Sequence, residues 1–202
     1  MLESLIYVRH GQSIENLLYH LVEKGVLYSY KYPPLWAGMK NGHHPLTTIG
    51  QHQIRLARAW MRENGIDWDF AYCSSFVRAV ETAQIIDPDE EWIIDPRLSE
   101  ISVSDLYAAS GVWDWFQDIN QRHAGQRIAI VGHGYWSIRL RQKIEGWSEE
   151  FVKELGFNLN GLHNGGILQY EFRKNRFRLV CPHKPGAVNE KWQPIGGCYG
   201  EG

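Results

Sequence analysis

Short apolar runs alternate along the chain with stretches in which apolar residues recur every three or four positions, the pattern of strands feeding helices. Leu5 to Val8 is an unbroken apolar run of strand length. Ser13 then stands as the N-cap of a helix with apolar positions Ile14, Leu17, Leu18, Leu21 and Val22, and Gly25 as its stop. Thr47 or Thr48 opens a second helix reaching about Glu63. Phe70 to Cys73 reads as a strand, and Ser74-Ser75 as the opening of a helix through Val77, Val80, Ala83 and Ile86. Trp92 to Ile94 is a third strand, Val112 to His123 a helix ended by Gly125, and Arg127 to Val131 a fourth strand. A helix follows from Tyr135 to about Ile144, and Ser148 caps a shorter one. Ile167 to Phe172 and Phe177 to Cys181 predict a closing hairpin turning at Lys174-Asn175. This alternation predicts an α/β fold: a mainly parallel central sheet with helices on both faces, three layers α/β/α, and sites beyond the carboxyl ends of the strands.

Two stretches break the pattern. Residues 27–44 hold Tyr28, Tyr30, Tyr32, Pro33, Pro34 and Trp36 and read as a long aromatic loop. Residues 182–202 are rich in glycine and proline and read as an irregular tail. The chain has 202 residues and no internal repeat, which suits one domain over 1–202. A hydrophobic fraction of 44% excludes a disordered chain, and a net charge of -2 gives no general case for nucleic acid or an anionic membrane. Neither partner is expected, and no apolar run approaches a membrane span. Cys73, Cys181 and Cys198 have no motif spacing and read as reduced thiols, and Met1-Leu2-Glu3 lacks a secretory start; a cytoplasmic location is expected. Oligomeric state is not legible.

The candidate chemistry sits at three strand ends. Arg9-His10-Gly11 follows the first strand, Ser74-Ser75 with Arg78 the second, and Gly132-His133-Gly134 the fourth. Two arginines and two histidines at helix-opening loops suit a phosphate dianion: guanidinium groups bind its oxygens in a fork, and helix N-termini add N–H donors. His43 and His44 are neighbours on a loop, a poor geometry for joint chelation, and are expected to flank the pocket. No metal ligand set is read.

These segments resemble the histidine phosphatase superfamily, the phosphoglycerate mutase-like family. Arg9-His10-Gly11-Gln12-Ser13 with Asn16 looks like its signature loop. Pro45-Leu46-Thr47 with Gly50 and Gln53, Ser74-Ser75 with Arg78 and Glu81-Thr82-Ala83, Arg97-Leu98 with Glu100, and Val131-Gly132-His133-Gly134 follow in the family's order, and Asn164-Gly165-Gly166-Ile167 falls before the last strands. The resemblance covers roughly residues 5 to 172. It implies a phosphatase that needs no metal and no cofactor. His10 attacks phosphorus and becomes a phosphohistidine. Arg9, Asn16, Arg78 and His133 hold the phosphoryl oxygens, and Glu100 gives and then takes the proton, for which its pKa must rise. His10 must be neutral, with its other ring nitrogen donating to a backbone carbonyl. Gln12, Ser13 and Gly134 are expected beside the substrate, a small phosphomonoester, with Tyr32 and Trp36 of the aromatic loop near its leaving group.

Several departures keep alternatives open. Ile101-Ser102-Val103-Ser104-Asp105 replaces the glycine- and tryptophan-rich stretch usual after the family's acid, so Asp105 stands beside Glu100 as a candidate donor. The long insertion that shields the phosphoenzyme in mutases is missing, which favours hydrolysis over transfer. The aspartate that the acid-phosphatase branch carries after its second histidine is replaced by Gly134. A mutase-type phosphotransferase, and a phosphate-binding or scaffolding relative without catalysis, are the alternatives.

Overall fold

The computed structural model describes residues 1–26, 42–101, 110–157 and 162–183. In chain order these form β1 (Ser4–Arg9), α1 (Ile14–Glu23), α2 (Thr48–Glu63), β2 (Phe70–Cys73), α3 (Val77–Ile86), β3 (Ile93–Ile94), a 3-10 turn (Pro96–Leu98), α4 (Ser110–Arg122), β4 (Arg127–Gly132), α5 (Gly134–Glu145), α6 (Glu149–Phe157), β5 (Ile167–Arg173) and β6 (Arg176–His183). One six-stranded sheet runs in the order β3-β2-β4-β1-β5-β6. Its first four strands are parallel, and β5 and β6 are antiparallel. The sheet is therefore mixed and mostly parallel, as the alternation of elements predicts.

Side-chain alternation along β1 sorts the core into two halves. Leu5 and Tyr7 point to one face, where Trp115, Phe116 and Ile119 of α4 and Trp136 and Leu140 of α5 cover them. Ile6 and Val8 point to the other, under Ile54, Ala57 and Met61 of α2 and Ala79, Ala83 and Ile86 of α3. A strand buried on both faces has to be apolar throughout, which is why Leu5 to Val8 lacks a polar position. Trp136 stacks on Tyr7 with centroids 5.5 Å apart, worth about 0.5–1.5 kcal/mol beyond the area the rings bury.

Local signals set most element ends. Ser13 caps α1 in a box with Asn16, and Thr47 caps α2 through the Gly50 N–H. Lys174 and Asn175, at φ 50° and 63°, turn the hairpin in the left-handed conformation that matches strand twist. Three elements differ from expectation. α3 begins at Val77 rather than at the serines, because the Ser74 hydroxyl bonds a histidine instead of capping the helix. β3 is only Ile93–Ile94, a short sheet edge with both side chains exposed. β6 continues to His183, into the expected tail. Most of the aromatic loop (27–41) and residues 184–202 of the tail lie outside the described residues. Among those described, no helix is long and apolar enough to cross a membrane.

Register places the site. Arg9 of β1 pairs with Gly132 of β4, and Cys73 of β2 with Val131. His10, His133 and Ser74 are the next residues, so three strand ends deliver them side by side. α2, on the crossover from β1, and α5, which follows β4, lie on opposite faces. The neighbouring strands therefore part at a topological switch point, where open α/β sheets bind ligands.

Candidate active site

His10 is buried, with both ring nitrogens engaged. Nδ1 lies 2.7 Å from the Gly11 carbonyl, which can only accept, so Nδ1 carries the hydrogen and Nε2 the lone pair. That lone pair receives the Nε–H of Arg78 at 3.1 Å. Burial, then the charges of Arg78 and Arg9, press the His10 pKa well below 6.5, so the imidazole is neutral at pH 7. Gly11 allows this loop to lie on the start of α2, since a Cβ there would fall 2.3 Å from the Gly50 carbonyl oxygen.

His133 packs against His10 with ring centroids 5.0 Å apart. Its Nε2 is 2.8 Å from Ser74 Oγ, which already accepts the Phe76 N–H. The other ring nitrogen, Nδ1, is a buried atom with no hydrogen-bond partner. Burial, then the neighbouring His10, Arg78 and Arg9, hold its pKa well below 6.5. Tyr7 fixes the peptide: its hydroxyl accepts the His133 N–H at 2.6 Å and donates to the His133 carbonyl at 2.8 Å. Gly132 makes room for that hydroxyl, which a Cβ would approach to 2.2 Å.

Arg9 and Arg78 bring the positive charge. The Arg9 guanidinium lies against the N-terminus of α5, where a Gly134 Cβ would stand 3.1 Å from its Cζ. It donates through Nη1 to the Leu162 carbonyl, while its buried Nε has no acceptor. Arg78, in the first turn of α3, is buried over the Phe76 ring, 4.9 Å from its centroid. Burial lowers both guanidinium pKa values, yet arginine stays cationic at ordinary pH.

Glu100 reaches the same cluster from after the 3-10 turn. Its carboxylate accepts N–H bonds from Ile101 at 3.1 Å, Trp136 at 3.3 Å and Tyr135 at 3.4 Å. Burial of the carboxyl raises its pKa, against the lowering pull of Arg9 and Arg78 and of the Tyr135 and Ile101 N–H bonds. Asp105, Tyr32 and Trp36 fall outside the described residues.

The smaller predicted contributors are occupied by the scaffold. Asn16 Oδ1 accepts from the Ser13 N–H, the Ser13 hydroxyl and Asn164 Nδ2, each at 3.1 Å. Ser13 thus spends its hydroxyl on the helix start. The Gln12 side chain accepts from Thr47 Oγ1 at 2.9 Å and its N–H donates to Gln53. Asn164 also ties the His10 carbonyl, at 3.1 Å. Gly134 opens α5 and gives Arg9 its space.

Sequence reasoning overlooked two residues here, Glu15 and Tyr7, while His44 was expected to flank the pocket. Glu15 pairs with Arg78, Oε2 to Nη1 at 3.1 Å, and buried His44 lies 4.0 Å from the same oxygen, while His43 is exposed. Tyr7 looked like one more core residue of β1. The acidic position inside the signature loop was the available signal for Glu15; nothing local marks Tyr7. Among the described residues, no group of three or more His, Cys, Asp or Glu could hold a metal ion.

Comparison with known proteins bears on the family and the fold. The family model of the histidine phosphatase superfamily (branch 1) matches residues 37–111. A 2,3-bisphosphoglycerate-dependent phosphoglycerate mutase of Rhizobium etli is 33% identical over 108 residues, 51% of this chain and 43% of that protein. The chain spans about half the length of the curated relatives it matches. A phosphoserine phosphatase mutant of Entamoeba histolytica, solved with phosphoserine, superposes with a TM-score of 0.63 at 19% identity over 89% of this chain and 95% of that one. A mycobacterial glucosyl-3-phosphoglycerate phosphatase gives 0.65 at 16% identity over 88% and 96%. The matched segment and the two mutase relatives support the histidine phosphatase superfamily for this chain, and the solved structures share its fold.

Proposed function

We propose that the protein hydrolyses a small phosphomonoester through a phosphohistidine formed on His10. One observation carries this reading: around the neutral His10 stand three buried nitrogens without a hydrogen-bond partner, Arg9 Nε, Arg78 Nη1 and His133 Nδ1. Buried polar atoms are normally satisfied, and a cluster that is not suits a ligand rich in acceptor oxygens. A phosphoryl dianion supplies them.

In the first step Arg78 moves its Nε–H from His10 Nε2 to a phosphoryl oxygen, and the freed lone pair attacks phosphorus. The ester P–O bond breaks, and Glu100, entering the step in its protonated form, which burial favours, delivers its proton to the leaving oxygen. In the second step the Glu100 carboxylate takes a proton from water as that water attacks phosphorus, releasing phosphate and returning the lone pair to His10. Arg9, Arg78 and His133 stabilise the charge spread over the equatorial oxygens, so no metal is needed. The Gly11 carbonyl holds the tautomer throughout.

The matched mutases favour a second reading, transfer of the phosphoryl group back to an organic acceptor. Supplying 3-phosphoglycerate with and without a bisphosphate primer, beside a panel of phosphomonoesters, separates the two. Release of inorganic phosphate from at least one ester, with no primer-dependent isomerisation, is expected. Efficient primer-dependent formation of the 2-isomer would replace hydrolysis by the mutase reading.

A further inference from the structure

Glu15 is an anion inside a site built for anions. Its side chain is 15% exposed, Arg78 is 4% exposed, and Oε2 lies 3.1 Å from Arg78 Nη1. The contact is ionic without hydrogen-bond alignment, since Nη1 has no bonded partner. Arg78 meanwhile gives its Nε–H to the lone pair of His10, at 3.1 Å. One guanidinium therefore links the carboxylate to the nucleophile. Glu15 is placed from the first turn of α1, where the helix dipole favours its charge, and the capping box of Ser13 and Asn16 fixes that turn.

We propose that Glu15 is a displaceable counter-ion that sets the affinity of the site for phosphoryl groups. In the empty site it neutralises Arg78 and keeps its Nε on His10, so the nucleophile is covered. An incoming phosphoryl group takes over the Arg78 donors, uncovers His10 Nε2 and leaves Glu15 without its partner. Phosphate binding is weakened by that exchange, which favours release of product. The misaligned pairing is what makes the exchange feasible, because a forked pair would hold Arg78 more tightly. The inference rests on the reading of the cluster as a phosphate site and adds a residue to it; Glu15 touches no reacting atom and acts through Arg78.

The test is the dissociation constant of inorganic phosphate, by calorimetry on the intact chain, for the parent and for Glu15→Gln, Glu15→Asp and Arg78→Gln. Glu15→Gln should bind phosphate about tenfold more tightly, in keeping with the strength of close charge pairs, and should lower the KM of a phosphomonoester more than it changes kcat. Glu15→Asp, which restores the charge on a shorter arm, should return affinity to within about threefold of the parent. A purely structural Glu15 would give the reverse grouping, with both variants losing thermal stability and neither gaining affinity. Equal or weaker phosphate binding by Glu15→Gln, with parental binding lost in Arg78→Gln, would overturn the counter-ion role and leave the phosphate site standing. Absence of phosphate binding in the parent and in every variant would overturn both. If Glu15→Gln does not fold, the Glu15→Asp constant decides alone: affinity weakened beyond about tenfold would overturn the proposal, because charge without shape would not suffice.

Discussion

Replacing Tyr7 by Phe removes a single oxygen from the core and should disturb the site more than the fold. In the parent that oxygen accepts the His133 N–H at 2.6 Å and donates to the His133 carbonyl at 2.8 Å. The carbonyl keeps a partner, the Ser137 N–H at 3.1 Å, so the variant leaves one buried donor unsatisfied rather than two groups. An orphaned buried N–H costs about 1–3 kcal/mol. At about 2–4 °C per kcal/mol for a chain of this length, a loss near the middle of that range lowers Tm by about 4–8 °C. The same oxygen is the nearest atom to a Cβ on Gly132, at 2.2 Å, with the Tyr7 Cζ next at 2.9 Å. Gly132→Ala should therefore be far less damaging in a Tyr7→Phe background than in the parent, and the cycle should show coupling of at least about 1 kcal/mol. Thermal melts of the four proteins by circular dichroism give the cycle, and phosphate release gives the activity. kcat/KM should fall by about tenfold in Tyr7→Phe, because the peptide of His133 loosens while Ser74 still holds its ring. A Tm within about 1 °C of the parent, together with additive single variants, would show that the hydroxyl does not fix His133.

Other expectations follow from the same geometry. Gly134→Ala puts a methyl 3.1 Å from the Arg9 Cζ and 3.3 Å from Nη2. Displacing that guanidinium should raise KM by about tenfold with little change in Tm; an unchanged KM in steady-state assays would contradict the placement of Arg9. The pKa shifts give a stability profile. His10 and His133 are depressed below 6.5 in the folded chain, so the unfolded chain takes up protons first. Their contribution is present above pH 6.5 and is lost as pH falls below it, by up to about 2.7 kcal/mol per pH unit for the two together. Glu100, raised from 4.5, works the other way, its contribution being present at low pH and lost as pH rises through its folded value. Two histidines outweigh one carboxyl, so chemical denaturation should show stability falling between pH 7 and 5.5. His10→Gln should flatten that fall, and an identical slope in the variant would contradict a buried neutral His10.

Legibility followed distance along the chain. Ser13, Thr47 and the Lys174-Asn175 turn act on backbone within a few residues, and the elements they bound are where the sequence pattern puts them. His10, Arg78 and His133 were legible because each stands in a strand-end loop of recognisable make-up, and parallel register then brings them together without further information. Ser74 misled for an instructive reason. A serine before a helix reads as a cap, but a histidine 59 positions away takes its hydroxyl. Tyr7 carries no local mark of its role, and Glu15 only its place inside the signature loop. Tyr7 alternates into the core like any strand residue, and only the return of β4 beside β1 sets the His133 peptide against it. Glu15 reads as an ordinary acidic residue in a helix's first turn until α3 brings Arg78 to it. The 3-10 turn at Pro96–Leu98 depends on Asp95, whose carboxylate accepts from the Arg97 N–H at 3.0 Å and from Trp115 Nε1 at 2.8 Å, a tie across the fold that no run of apolar residues announces.

The central claim is that His10 carries the phosphoryl group, and trapping the intermediate tests it most directly. The protein is mixed with a turned-over phosphomonoester, quenched in alkali within milliseconds to seconds, digested and examined by mass spectrometry. A phosphate on His10, stable to base, labile to acid and absent from His10→Ala, is the predicted result. Continued phosphate release by a folded His10→Ala protein, or a phosphate carried on any other residue, would contradict the account.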